Sequence, residues 1–199
     1  MEVRQRQRMP KNLKRAFSDR RIRRGIYSMY ASFRPYHLIG ATGGFLTALT
    51  AIISLAVSTS YYISAEWVII VNMLLIGSNG LIATYFFGAF SASRDSLIKV
   101  GSLIAGIGLG FNVLISILQM AGVYVFVLAL LGALVMMAGV VIACIKFIML
   151  FQRDAFVVVF CVFIFLGLLL SLFWTWSSLI SGAGLGGLLI YFYVYNITY

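Results

Sequence analysis

Charge is what this chain has least of. Only 10% of its 199 residues are Asp, Glu, Lys or Arg, where soluble domains carry about a quarter. It also has one histidine, two cysteines, two prolines and five acids. Each scarcity closes off a class of function. A metal centre needs several His, Cys or carboxylate ligands converging, and a Ser or Cys nucleophile needs a base beside it. The one imidazole, His37, stands before the first apolar run and supplies neither. No acid falls inside a long apolar stretch; Glu66, Asp95 and Asp154 all lie in the links between them. Ion-coupled carriers bind their coupling ion through ionisable groups near the midplane, so that class is disfavoured. Cys144 and Cys161 sit in apolar runs without CxxC spacing and read as buried small hydrophobes, not as redox or metal groups.

Apolar residues are what is abundant, at 62% of the chain with a mean hydropathy of +1.04. Six stretches reach membrane length, roughly 20 residues for a hydrocarbon core of about 30 Å. They run 38–57, 67–90, 98–120, 123–147, 155–173 and 179–195, the last being the marginal one. None shows the alternation of a barrel strand. In lipid the backbone must satisfy itself, and a helix does so within one segment. The expected fold class is therefore all-α: a polytopic integral membrane protein of six transmembrane helices arranged as three hairpins, with five spans as the alternative.

The few charges are placed with a bias. The links near 58–66, 119–123 and 174–178 contain no Lys or Arg, whereas Arg94, Lys99, Lys146 and Arg153 mark the links near 91–99 and 146–154. With six alternating helices every basic residue falls on one side, as the positive-inside bias requires. Both termini are then expected on the cytoplasmic side or its equivalent. Lys146, at the end of the fourth span, can snorkel to water. Tyr61, Tyr62, Trp67, Trp174 and Trp176 flank the outer links; Tyr27, Tyr30, Tyr36, Tyr191, Tyr193 and Tyr195 populate the inner boundary. Amphipathic rings favour those depths.

Residues 1–37 hold eleven of the fifteen basic residues and two of the five acids. The division expected is a basic N-terminal arm, 1–36, and a bundle, 37–199. Leu13, Phe17, Ile22, Ile26, Met29, Tyr30 and Phe33 recur at roughly helical spacing among the basic residues. An amphipathic helix here, broken at Gly25 and ended by Pro35, would lie on the inner leaflet. Lys11, Lys14, Arg15, Arg20, Arg21, Arg23 and Arg24 would meet its anionic headgroups. A partner protein or nucleic acid ranks below that lipid surface. Ser18, in "KRAFSDRR", is read as a polar residue of the arm rather than as a phosphorylation site.

Arg34, Arg94 and Arg153 each precede an odd-numbered span, in "SFRPYHLIG", "SASRDSLIKVG" and "LFQRDAFVVVF". Two spans with short loops occupy that interval by themselves, so the spacing is read as membrane geometry before internal repetition. Neutral polar residues gather on faces. Thr47, Thr50 and Ser54 share one on the first helix, Asn72 and Asn79 on the second, and Asn112, Ser116 and Gln119 on the third. They read as interhelical hydrogen bonding first and as a path for a neutral solute second. Gly40 with Gly44, Gly106 with Gly110, and Gly182 with Gly186 stand four apart, the spacing that brings helix backbones together in lipid.

Two local likenesses carry no family. "GSNG", residues 77–80, is similar to the serine-containing glycine loop of intramembrane rhomboid proteases, but the later membrane histidine of that family is missing. "RPYHLIG" superficially resembles the entry to some prenyltransferases, without their acidic pairs. The function expected is non-catalytic: a structural, assembly or accessory subunit packing through its glycine-rich faces against copies of itself or another membrane protein. The alternative is a small passive channel or carrier along the Asn, Thr and Ser faces. No cofactor or metal is expected.

Overall fold

The computed structural model describes residues 20–59, 65–93, 95–123, 126–152, 154–171 and 177–195; the side chains of 20–32 and of 65 lie outside that description. Those residues form six helices: α1 Arg20–Ser58, α2 Ala65–Ala92, α3 Ser96–Met120, α4 Phe126–Leu150, α5 Ala155–Ser171 and α6 Ser178–Tyr195. Five are long and apolar enough to cross a membrane, that of α1 being the Phe33–Ser58 portion. The short one is α5, with 17 residues, whereas the sequence pointed to the sixth as marginal. Positions 172 and 173 of the expected fifth span lie outside the described residues.

The expected break before the first span does not occur. α1 is continuous for 39 residues and carries Pro35 inside it. A helical proline forfeits one backbone hydrogen bond and crowds the preceding turn. Packing on either side holds the helix together: Phe33 stacks on Tyr36 with centroids 5.6 Å apart, and His37 lies 5.8 Å from Tyr85 of α2. The boundary between 36 and 37 thus falls within one helix. The helix expected to end at Pro35 instead runs on into the bundle.

The six helices pack in chain order as a ring. α1 meets α2, and each following helix meets the next, until α6 returns to α1; the α4–α5 contact is the slightest. α1, α3 and α5 enter, and α2, α4 and α6 leave, at one end, here the arm end. Aromatic side chains fill that end. Tyr85 and Phe192 are wholly buried, with Phe33, Phe86, Phe147 and His37 around them. His37 is edge-on to Phe33 at 4.7 Å and to Phe192 at 5.7 Å, and Phe147 is edge-on to Phe192 at 5.4 Å. Such geometries add to the burial itself. The outward surfaces carry many large apolar side chains, including Phe45, Ile52, Met73, Leu114, Leu131 and Phe165.

Candidate functional site

The polar chemistry of the bundle is concentrated at the arm end, where α3 and α5 begin. Each starts after an aspartate, because a short carboxylate accepts from the unpaired N–H groups of a first helical turn. Asp95 Oδ1 accepts from Leu97 N at 3.0 Å and Ile98 N at 3.2 Å. Asp154 Oδ1 accepts from Phe156 N at 3.1 Å and Val157 N at 3.5 Å. The second oxygen of each reaches across to another helix. Asp95 Oδ2 stands 2.9 Å from Lys146 Nζ near the end of α4. Asp154 Oδ2 accepts from the Tyr191 hydroxyl, at 2.6 Å, near the end of α6. One oxygen caps and the other latches, in the same way at both positions. Lys146 beside Asp95 holds that carboxyl below the usual range, chiefly through their hydrogen bond and with help from the two capped N–H groups.

The first entry is built differently. Pro35 follows Arg34 where Asp95 and Asp154 follow Arg94 and Arg153. α1 is already helical there and has no first turn to cap. Arg34 instead lies over the ring of Tyr193 on α6, 4.5 Å from its centroid. The three arginines were evident from sequence, yet the acid beside two of them is what ties helix to helix. The dipeptide Arg-Asp in the two links was the available signal. Arg94 and Arg153 themselves lie outside the described residues.

The polar faces are spent largely on their own helices. Thr47 donates to Gly43 O, Thr50 to Leu46 O, Asn72 to Val68 O and Ser116 to Asn112 O, at 2.7–3.0 Å. Thr50, Asn72 and Ser116 are buried; Ser54, Asn79 and Gln119 are half-buried. Asn112 reaches furthest, its Nδ2 lying 3.6 Å from Met136 Sδ on α4. Asn112 therefore sits at the α3–α4 contact, while Thr50 and Asn72 belong to α1 and α2.

Glycine pairs mark where backbones approach. A Cβ on Gly44 would stand 2.6 Å from Gly186 N and 2.9 Å from Gly182 O, so Gly44, Gly182 and Gly186 form the α1–α6 seam. A Cβ on Gly40 would meet Leu189 and Tyr85, and one on Gly106 would meet the Phe87 ring of α2. Gly110 is different: a Cβ added there would meet nothing within 4 Å, and the same holds for Gly80. The seams α1–α2, α2–α3, α3–α4, α5–α6 and α1–α6 all contain a glycine that touches the opposite helix; α4–α5 does not.

Cys144 of α4 and Cys161 of α5 are unbridged and both are buried. Of the arm residues, Lys11, Lys14 and Arg15 lie outside the described residues; Arg20, Arg21, Arg23 and Arg24 ride on the first turns of α1, with their side chains outside the description. Among the described residues no group of three or more His, Cys, Asp or Glu is placed to hold a metal ion. The chain matches no known protein family, no curated protein and no solved structure.

Proposed function

We propose that this chain is a non-catalytic integral membrane protein. Its six spanning helices are paired as three hairpins, with both termini on the cytoplasmic side, and it serves as a structural, assembly or accessory subunit. The observation that carries this reading is the use made of Asp95 and Asp154. Each carboxylate is committed to capping its own helix and latching another, so the acids nearest the bundle hold it together. A full ring of aliphatic and aromatic side chains faces outward, suited to lipid or to another membrane helix. Most glycine faces are used within the chain, leaving the open ground beside Gly80 and Gly110 for a partner. The basic arm supports the orientation and meets anionic headgroups or a partner at the cytoplasmic face.

Isolation in mild detergent tests the reading. A membrane protein is expected to come with the chain in fixed ratio, or the chain is expected to run as a defined multimer of itself. A lone monomer that catalyses solute flux in proteoliposomes would overturn it. Asn112 gives the channel alternative its best foothold, because its side chain reaches from α3 toward α4. On the subunit reading, Asn112→Leu leaves vesicle flux at the background rate of empty liposomes. For the arm, binding of the whole protein's vesicles to anionic liposomes is expected to weaken as salt rises.

A further inference from the structure

Three Lys or Arg side chains fall among the described residues: Arg34, Lys99 and Lys146. Lys146 is paired with Asp95. Arg34 and Lys99 are exposed and make no ion pair among the described residues, and Arg34 is held in place over the Tyr193 ring, 4.5 Å from its centroid. A guanidinium keeps a planar fork of N–H donors, which fits a phosphate with two parallel hydrogen bonds. Arg34 stands at the arm end of the spanning portion of α1, Phe33–Ser58. Four residues on, an exposed apolar face of that helix begins. Leu38, Phe45, Leu49 and Ile52 are 45–52% exposed. At 3.6 residues per turn they fall, with Arg34, within about 60° of one another around α1. A Cβ on Gly186 would meet the Phe45 ring at 3.0 Å, so the stripe runs beside the α1–α6 seam, as Arg34 does at Tyr193.

We propose that Arg34, braced by Tyr193, seats the phosphate of a phospholipid of net negative charge, whose acyl chain lies along Leu38, Phe45, Leu49 and Ile52. Depth, length and charge select this occupant. At 1.5 Å per residue Arg34 stands about 6 Å above Leu38, and the headgroup layer adds about 5–8 Å on each side of the hydrocarbon. Leu38 to Ile52 covers about 21 Å, more than the roughly 15 Å of one leaflet, so an acyl chain meets apolar side chains over its whole depth. Asp95 and Asp154 follow the arginines of the other two entries, whereas Pro35 follows Arg34, so no neighbouring carboxylate of the chain competes for this guanidinium. An apolar helix of another protein would cover the stripe and leave Arg34 without a counter-charge. A second copy of this chain would bring another basic arm to the same surface, and like charges there oppose the contact. The proposal rests on the membrane-spanning part of the reading above and not on the subunit role.

The test uses the whole protein. In detergent, bound lipid is counted by native mass spectrometry with phosphatidylglycerol, and in parallel with phosphatidylcholine of the same acyl chains. One phosphatidylglycerol per chain is expected to bind about fivefold more tightly than phosphatidylcholine, and inorganic phosphate is expected not to displace it. Arg34→Gln is expected to remove that tight site, Tyr193→Leu to weaken it and Lys99→Gln to keep it. In vesicles, phosphatidylglycerol with a photoreactive group on its acyl chain is expected to label the Leu38–Ile52 stretch of the wild type above every other span, a measurement that needs no variant to fold. The seat is overturned if Arg34→Gln keeps the tight site, if label spreads evenly over the six helices, if inorganic phosphate displaces the lipid, or if a stable dimer buries the stripe. Each of those results leaves the chain in the bilayer. Release of the chain from vesicles by alkaline carbonate would instead overturn the membrane reading, and the seat with it.

Discussion

The two ends of the ring are built from different materials. In the arm half, bulky rings meet: Tyr85, Phe86, Phe147 and Phe192 are buried, with Phe33 and His37 from α1. Among the described residues, no aromatic is buried in the opposite half. There the buried positions include Ala48, Thr50, Ala51, Asn72, Ser116, Gly132 and Gly182, with Ile115 and Leu168 the larger members. The arm half is also cross-linked by Asp95 with Lys146 and by Asp154 with Tyr191. The far half turns its hydroxyls back onto its own helices. One end is closed by volume and specific polar ties, the other by smallness and close backbone approach. Tolerance to substitution should therefore differ sharply along the same helices.

Truncating the arm-end aromatics gives the largest expected effect. Phe192→Ala removes a wholly buried ring touching His37, Phe147 and Phe151, and is expected to cost about 3–5 kcal/mol. Thermal unfolding in detergent reads this, and a loss no greater than that of Ser116→Ala would erase the contrast between the ends. Next comes overpacking of the far-half backbone contact. Gly44→Val drives atoms into the Gly182–Gly186 backbone and is expected to cost about 2 kcal/mol or more, whereas Gly110→Ala, with open space beyond it, stays within about 0.5 kcal/mol. Equal effects at the two glycines would show that the α1–α6 approach is looser than it looks.

The polar ties sharpen the comparison at smaller magnitude. Tyr191→Phe and Asp154→Asn are each expected to cost about 1 kcal/mol. A double-mutant cycle should show the two changes to be coupled, and strict additivity would dissolve that latch. Asp95 supplies the smallest effect and the one with a pH signature. Its carboxyl is held low in the folded chain by Lys146. Its stabilisation is therefore present above the ordinary carboxylate pKa of about 4, and is lost as pH falls through the lower folded value. At 27% side-chain exposure the ion pair is worth less than about 1 kcal/mol. The stability gap between wild type and Asp95→Asn should thus be widest near neutrality and narrow toward pH 3; a gap that does not change with pH would mean Lys146 contributes nothing.

Helix positions were legible because length and hydropathy are local properties. Trp67–Phe90 and Ile98–Met120 were placed within a few residues of α2 and α3. The continuity of α1 through Pro35 was not, since it depends on what Phe33 and His37 touch across space. The spacing alone set Thr, Asn and Ser in stripes along their helices. Whether a hydroxyl turns to its own helix or to a neighbour is a choice made after packing, and Thr50 and Ser116 chose their own. Gly106 and Gly110 look equivalent in the sequence and differ entirely in surroundings. The Arg-Asp dipeptides were in plain view, but positive-inside reasoning weighs the arginine and passes over the acid that caps and latches.

The closure of α6 onto α1 also has a consequence in time. Gly44 and its neighbours Gly182 and Gly186 are the first and last parts of the bundle to be synthesised. Until α6 emerges, the bare glycine face of α1 stays uncovered, and a nascent chain has every contact of the ring available except the two that α6 makes. Closure of the ring therefore waits for α6. A chain stopped short of α6 would leave that groove waiting for the last helix of another copy, the usual route to exchanged segments between chains.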